Sequence, residues 1–133
     1  MSLSDAFRDR HYGPGYVYIA GSLSGRVLKI GTTWDVPRQQ YRLNYVGYGS
    51  LNDWMMLYSV WVESGAGSVE HAARRQLQGY KTMRMYKKDG SWQKGREIVR
   101  CSFSVAFEAI SGLISEEAKS SAWRSKHCSS FEF

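Results

Sequence analysis

The stretch VYIAGSLSGRVLKIGTT, residues 17–33, contains two short runs of β-branched and aromatic residues around a polar Ser-Leu-Ser-Gly turn. Runs of this composition on either side of a glycine-containing turn predict a hairpin of two antiparallel strands. If residues 22–25 form the loop, Tyr18 lies opposite Lys29, and both project from the face opposite Val17. We therefore expect a hairpin with one apolar face and one face that carries a phenol and an amine.

Changes in hydrophobic period divide the remaining chain into further elements. Asp35 as N-cap and Pro37 in the first turn predict a helix that runs to about residue 46. The near-continuous apolar segment 54–62 predicts a strand that is covered on both faces. A second helix is expected to begin with Ser68 as its N-cap, and apolar residues at helical spacing predict a C-terminal helix within 103–114.

Length, charge and cysteine content limit the classes of protein to consider. The chain has 133 residues, enough for one domain, and 18 Lys and Arg against 12 Asp and Glu give it a net charge of +6. This balance favours a polyanionic partner, either nucleic acid or an acidic membrane surface. There is no apolar run of membrane-spanning length and no signal peptide, so a soluble, cytoplasmic protein is expected. Cys101 and Cys128 lack the spacing of a structural zinc site.

The order of these motifs resembles the GIY-YIG endonuclease superfamily. VYI at 17–19 and KIG at 29–31 stand in for its two signatures, and V-Y-I with K-I-G-x-T is similar to the phage-type branch of DNA-binding or nuclease domains. SVEHAARRQL, 68–77, is similar to the glutamate helix of the superfamily. GREIVRCSFSVAFEAI, 95–110, is similar to the glutamate-containing strand and final helix of that branch. The resemblance extends over roughly residues 15–115.

The resemblance implies an α/β (α+β) fold in which a small central three-stranded antiparallel sheet is flanked by helices. It divides the chain into an N-terminal lead at 1–14, a GIY-YIG-like nuclease domain at 15–118 and a C-terminal tail at 119–133. The tail is expected to be loose because chain termini are often poorly ordered.

The resemblance also implies a set of catalytic residues on the polar face of the hairpin. Tyr18 matches the tyrosine of the first signature, Lys29 replaces the tyrosine of the second, and Tyr16 lies on the same face. Arg38 is the nearest match to the family arginine, with Arg42 one turn later as its alternative. A tyrosine can hold or activate the attacking water, and a guanidinium fits phosphate oxygens. The Lys29 ammonium can act only on the phosphate, unless its neighbours lower its pKa.

Glu70 corresponds to the metal-binding glutamate of the family and is expected to bind Mg²⁺ or Mn²⁺. One carboxylate, together with phosphate oxygens and waters, is a common way of holding Mg²⁺. From the helix pattern alone, an i, i+4 ion pair with Arg74 is the simpler interpretation. The late asparagine of the family has no clear match in this chain.

The predicted function is hydrolysis of DNA phosphodiester bonds by a divalent-metal-dependent endonuclease. DNA binding is expected to depend mainly on backbone charge. The residues predicted to bind DNA are Lys81, Arg84, Lys87, Lys88, Lys94 and Arg96, with Trp92 or Tyr86 for stacking on unpaired bases. Two alternatives are a catalytically silent DNA-binding module and a protein-interaction domain, the latter suggested by 5 Trp and 9 Tyr. The sequence leaves DNA specificity and oligomeric state open.

Overall fold

A computed structural model describes residues 11–133, so most of the lead predicted at 1–14 lies outside the described residues. The strands are β1 (Gly15–Ser22), β2 (Val27–Thr33), β3 (Trp54–Val62), β4 (Lys81–Lys88), β5 (Ser91–Val99) and β6 (Trp123–Arg124). The α-helices are α1 (Val36–Val46), α2 (Ala66–Gln76), α3 (Phe103–Ser111) and α4 (Glu116–Ser120). Short 3₁₀ turns occupy Tyr48–Ser50, Gln78–Tyr80 and Cys128–Phe131.

The strands of the described chain form one antiparallel sheet of six strands in the order β4-β5-β2-β1-β3-β6. The predicted three-stranded sheet is therefore wrong, although β2, β1 and β3 form its centre and the α+β class holds. Strand β5 joins the centre through two residue pairs, Leu28 with Val99 and Lys29 with Ile98. Most of the β4–β5 hairpin is exposed and basic, so its sequence gives no hydrophobic signal for a strand.

The predicted β1–β2 hairpin forms, but in a different register. Tyr18 pairs with Gly31, and Lys29 pairs with Ala20, a shift of two residues from the predicted pairing. The first strand extends to Ser22, whose hydroxyl accepts a hydrogen bond from the Gly25 N–H at 3.1 Å and so closes the turn. Because side chains alternate with period two, a shift of two keeps every side chain on its predicted face.

The two main helices begin differently from each other. Helix α1 begins as predicted, with the Asp35 carboxylate accepting a hydrogen bond from a backbone N–H in the first turn at 3.1 Å. Helix α2 begins at Ala66 after Gly65, and Ser68 lies inside it, so the predicted Ser68 cap is wrong. The backbone N–H groups of Gly65 and Ala66 donate to carbonyls of the preceding 12–13 segment, which replaces a side-chain cap. Among residues 11–133, no helix has the length and apolarity needed to cross a membrane.

Helices cover both faces of the sheet. Helices α2 and α3 pack on the face that carries Val17, Ile19 and Leu28, where they form the larger core. Helix α1 packs on the opposite face, where Tyr18 and Trp54 belong to a smaller core. Helix α1 therefore covers part of the polar face of the β1–β2 hairpin, and the parts of this face on either side of α1 are open.

Residues 119–133 do not form the loose tail that was expected. Strand β6 pairs with β3, and Phe131 is buried in the larger core. A Cβ atom on Gly21 would lie only 2.5 Å from the Phe131 ring, so the glycine provides the space that this ring fills. Burial of Phe131 and Cys128 attaches the C-terminal segment to the sheet.

Candidate active site

Tyr18 and Lys29 meet at the centre of the α1 face of the sheet. The Lys29 Nζ donates a hydrogen bond to the Tyr18 hydroxyl at 2.7 Å, and the Gln39 side chain of α1 donates to the same hydroxyl at 3.1 Å. A Cβ atom on Gly31 would lie 2.6 Å from the Tyr18 hydroxyl and 2.8 Å from the Lys29 Nζ. The glycine of the KIG motif is therefore required because the phenol and the amine meet directly over it.

Two glutamates and an arginine continue this cluster away from Lys29. Glu97 on β5 forms an ion pair with the Lys29 Nζ at 2.8 Å, and its other carboxylate oxygen lies 3.7 Å from Arg74 on α2. The same Arg74 nitrogen lies 3.7 Å from the carboxylate of Glu70, one turn earlier in that helix. Three strands and one helix thus contribute to one polar network in the order Tyr18, Lys29, Glu97, Arg74, Glu70.

The charges in the network are unequally compensated. Burial lowers the pKa of Lys29, but Tyr18 and Glu97 outweigh burial and leave the pKa above its usual range. Burial raises the pKa of Glu97, but the Lys29 ammonium and Arg74 bring it below its usual value. For Glu70, burial and the nearby Glu97 raise the pKa in spite of the opposing effects of Lys29 and Arg74. Lys29 and Glu97 thus form a stable ion pair, whereas a charge on Glu70 is poorly compensated.

A groove of about 570 Å³ opens over this network, and we call it the acidic groove. Its lining includes Lys29, Thr32, Gln39, Glu70, His71, Arg74 and Glu97. Tyr18 itself is 0% exposed, so its hydroxyl reaches the groove only through Lys29 and Gln39. Whatever binds in the groove touches Lys29 before it touches Tyr18.

The other predicted catalytic residues fall at three different places. Arg42 lines a cleft of about 200 Å³ beside the groove, together with Lys29 and Glu97. Arg38 is exposed on α1 and lines neither this cleft nor the acidic groove. Tyr16 shares the sheet face of Tyr18, but its ring packs against Trp61 with 5.0 Å between the ring centroids, on the other side of α1. The structure therefore joins Tyr18 to Lys29 and places Arg42 in a cleft with Lys29, whereas Tyr16 and Arg38 lie apart from this site.

The predicted DNA-binding residues lie on the β4–β5 hairpin, next to the groove. Lys88 lines the cleft that contains Arg42, and Lys81 and Arg96 line a further cleft of about 190 Å³ beside Arg74 and Glu97. Lys87, Lys94 and the 61%-exposed Trp92 lie toward the outer end of the hairpin. Arg84 differs from them, because its Nε donates to the carbonyl of Gly49 at 2.8 Å and supports the 3₁₀ turn. Tyr86 packs against Tyr48 with 5.0 Å between the ring centroids.

The residues present fit a cation at Glu70 only with additional ligands. Among the described residues, no group of three or more His, Cys, Asp and Glu side chains is arranged to hold a metal. Glu70 lines the groove with a side chain that is 17% exposed, and burial with Glu97 raises its pKa. A divalent cation would relieve this carboxylate, and phosphate oxygens with waters can complete the coordination of Mg²⁺.

Three residues at this site play a larger part than the sequence indicated. Glu97, predicted from the sequence only as part of a glutamate-containing strand, is the direct partner of Lys29, and Arg74 contacts both glutamates. Gln39 is the second hydrogen-bond donor to Tyr18. The i, i+4 spacing of Glu70 and Arg74 was visible in the sequence, but the approach of β5 to β2, which brings Glu97 to Lys29, was not.

Comparison with known proteins places this arrangement in a family. Searches of curated proteins and of solved structures find no match. A family model described as the T5orf172 domain, a phage-associated domain related to nuclease-like folds, matches residues 15–114. These residues include the β1–β2 hairpin, Glu70, Glu97 and the complete β4–β5 hairpin, which we call the β4–β5 arm. Because the match covers well over half of its length, the chain belongs to the T5orf172 domain family.

Proposed function

We propose that this T5orf172 domain is a divalent-metal-dependent endonuclease of the GIY-YIG type that hydrolyses DNA phosphodiester bonds. The observation that carries the proposal is the acidic groove, where the poorly compensated carboxylate of Glu70 lies in one network with the cationic side chains of Lys29 and Arg74. Carboxylates hold hard cations, and ammonium and guanidinium groups bind phosphate oxygens. A phosphodiester with Mg²⁺ or Mn²⁺ supplies both complementary charges.

Side chains of the acidic groove and of the cleft that contains Arg42 have separate roles in this proposal. Lys29 and Arg42 bind non-bridging oxygens of the scissile phosphate and offset the charge that grows there in the transition state. Glu70 holds the cation, which when bound supplies a more acidic water and neutralises charge on the phosphate. Hydrolysis forms a bond from water oxygen to phosphorus and breaks the bond to the 3′ oxygen, which leaves 5′-phosphate and 3′-hydroxyl ends.

Tyr18 acts on the reaction through Lys29 in this proposal. Its hydroxyl is fully buried and accepts hydrogen bonds from both Lys29 and Gln39, so it fixes the position of the ammonium at the groove wall. Held in this way, Lys29 needs no reorganisation when negative charge grows on the phosphate in the transition state. We therefore assign Tyr18 a positioning role, which differs from the activation of water that the resemblance implies.

A catalytically silent DNA-binding module is the second candidate. It is favoured by the ion pair of Lys29 with Glu97, which already occupies the ammonium. It is also favoured because, within residues 11–133, no group of three or more His, Cys, Asp and Glu side chains is arranged to hold a metal. The basic β4–β5 arm would serve this function equally well.

A nicking assay separates the two candidates. The protein is incubated with supercoiled plasmid and with duplex, single-stranded and branched oligonucleotides in Mg²⁺, Mn²⁺ or EDTA, and DNA binding is measured at several salt concentrations. The nuclease proposal predicts metal-dependent nicking that EDTA abolishes. Binding that weakens steeply with salt but produces no nicking on any DNA would leave only the silent module. Binding that salt does not affect would overturn both.

A further inference from the structure

A second cavity, of about 580 Å³, lies on the opposite side of α1 from the acidic groove. Its lining includes Tyr16, Trp34, Gln40, Met56, Ser59 and Trp123, and we call it the aromatic cavity. Volumes of this order are typical of sites for small organic ligands. None of these residues takes part in the network around Lys29 and Glu70, so the cavity has no role in the hydrolysis itself.

Aromatic rings line the cavity, and two of them, those of Tyr16 and Trp34, pack against Trp61. Trp34 and Trp123 are 69% and 49% exposed, an unusual amount of apolar surface for two indoles that line the same cavity. Trp61 supports the site from behind, with its ring centroid 5.0 Å from that of Tyr16 and 5.8 Å from that of Trp34. Exposed flat rings with fixed supports provide a surface on which another flat ring can stack.

The polar groups of the aromatic cavity suit a neutral ring better than a phosphate. The Gln40 Oε1 accepts a hydrogen bond from the Met56 N–H at 2.8 Å, which fixes the amide and leaves its two N–H donors for the cavity. Ser59 adds a hydroxyl from β3. The Asp35 carboxylate also lines the cavity and would repel an anion. Nucleobases combine a flat ring with carbonyl or ring-nitrogen acceptors and carry no charge.

The aromatic cavity and the acidic groove are lined by neighbouring residues at the start of α1. Thr32 lines the groove and Trp34 lines the cavity, only two residues further along the chain. Gln39 lines the groove and the adjacent Gln40 lines the cavity. One helix of roughly 10 Å diameter separates the two, a distance that about three nucleotides span at ~3.4 Å per nucleotide.

We propose that the aromatic cavity binds an unpaired nucleobase of the DNA whose backbone lies in the acidic groove. This proposal rests on the proposed function and specifies its substrate as DNA with an unpaired base about three nucleotides from the scissile phosphate. The base stacks on Trp34 and Trp123, and an acceptor on its edge receives a hydrogen bond from Gln40. A fully paired duplex has no base available for this cavity, so it binds through backbone charge alone.

The test measures binding in EDTA, where no metal-dependent cleavage occurs. The probes are a duplex with one unpaired 2-aminopurine and the same duplex fully paired. Trp34→Ala and Trp123→Ala should each weaken binding of the unpaired probe by about 5- to 150-fold, which is the range found for loss of base stacking. Each variant should change binding of the paired duplex less than about twofold. Trp34→Phe should restore most of the affinity because it retains an aromatic ring. Leu23→Ala, an exposed apolar truncation at the opposite end of the β1–β2 hairpin, is the matched control.

Failure of this proposal can be distinguished from failure of the proposed function. If wild type prefers the unpaired probe and both alanine variants lose that preference, the cavity is a base site, whether or not the protein nicks DNA. If the variants bind both probes as wild type does, or lose affinity for both equally, the cavity assignment is wrong while nicking can still be observed. If wild type binds no DNA in either form, both proposals are overturned.

Discussion

Replacement of Glu70 by glutamine tests the proposed metal role of this carboxylate against its ion pair with Arg74. A bound divalent cation contributes several kcal/mol to the stabilisation of the transition state, and ~4 kcal/mol corresponds to a rate change of about 10³-fold. The Glu70–Arg74 pair has a separation of 3.7 Å between partly exposed side chains, with 17% and 30% exposure. Such i, i+4 pairs contribute only about 0.3–0.5 kcal/mol, which alters a rate less than about threefold. We therefore expect Glu70→Gln to reduce nicking by at least about 10³-fold.

The same substitution should stabilise the metal-free protein at neutral pH. Burial and the neighbouring Glu97 raise the pKa of Glu70 above its ordinary value of 4.5, so the carboxyl group holds its proton more strongly in the folded than in the unfolded protein. When the pKa of a carboxyl group is higher in the folded than in the unfolded protein, the free energy of unfolding falls as the pH rises from the unfolded-state pKa to the folded-state pKa. Glu70→Gln removes this loss, and its melting temperature should exceed that of wild type at pH 7 in EDTA. Well below pH 4.5 the side chain is protonated in both states, and the difference should disappear.

The assays are nicking of supercoiled plasmid in Mg²⁺ and thermal unfolding at pH 7 and at acidic pH in EDTA. Glu108→Gln is the matched control, since it removes one negative charge from the exposed surface of α3 and Glu108 lines neither the acidic groove nor the two clefts beside it. DNA binding in EDTA should be retained or slightly tightened in Glu70→Gln, because one repulsive carboxylate is removed. Nicking by Glu70→Gln at the wild-type rate would refute the metal assignment and make Glu97 the next carboxylate to test.

Three further predictions concern the helix arginines, Tyr18 and the lysines of the β4–β5 hairpin. Arg42→Ala should lower the nicking rate by at least about tenfold more than it weakens duplex binding, because charge on the phosphate grows in the transition state. If Arg38→Ala is inactive and Arg42→Ala is fully active, Arg38 has this role. Tyr18→Phe should lower kcat by about 10²-fold with little change in KM, since Lys29 loses the acceptor that holds it; an unchanged kcat in a folded variant removes Tyr18 from the mechanism. The double variant Lys87→Ala, Lys94→Ala should reduce the slope of log affinity against log salt by about 0.9 for each phosphate that the β4–β5 arm no longer neutralises. An unchanged slope would mean that DNA does not bind to the β4–β5 arm.

Local sequence patterns predicted several elements correctly because their signals are short-range. The hairpin follows from two apolar runs around a turn, and the start of α1 follows from Asp35 and its hydrogen bond to the backbone. The assignment of Tyr18 and Lys29 to one face depended only on the alternation of side chains, so it survived an error of two residues in the register. The predicted Ser68 cap was wrong because backbone carbonyls at 12–13, remote from the helix in sequence, supply the acceptors at its start.

The sequence by itself determined the central hairpin, the chemistry of its polar face and the basic charge of the β4–β5 segment, since each depends on neighbouring residues. Only the tertiary structure decided that the β4–β5 hairpin joins the sheet, because two buried residue pairs attach an arm whose other residues face solvent. This attachment brings Glu97 to Lys29 across 68 positions of sequence. The burial of Phe131 and the wall that Trp123 adds to the aromatic cavity likewise depend on long-range packing of the C-terminal segment. Such contacts arise from surfaces that meet only after folding, and no local pattern encodes which surfaces will meet.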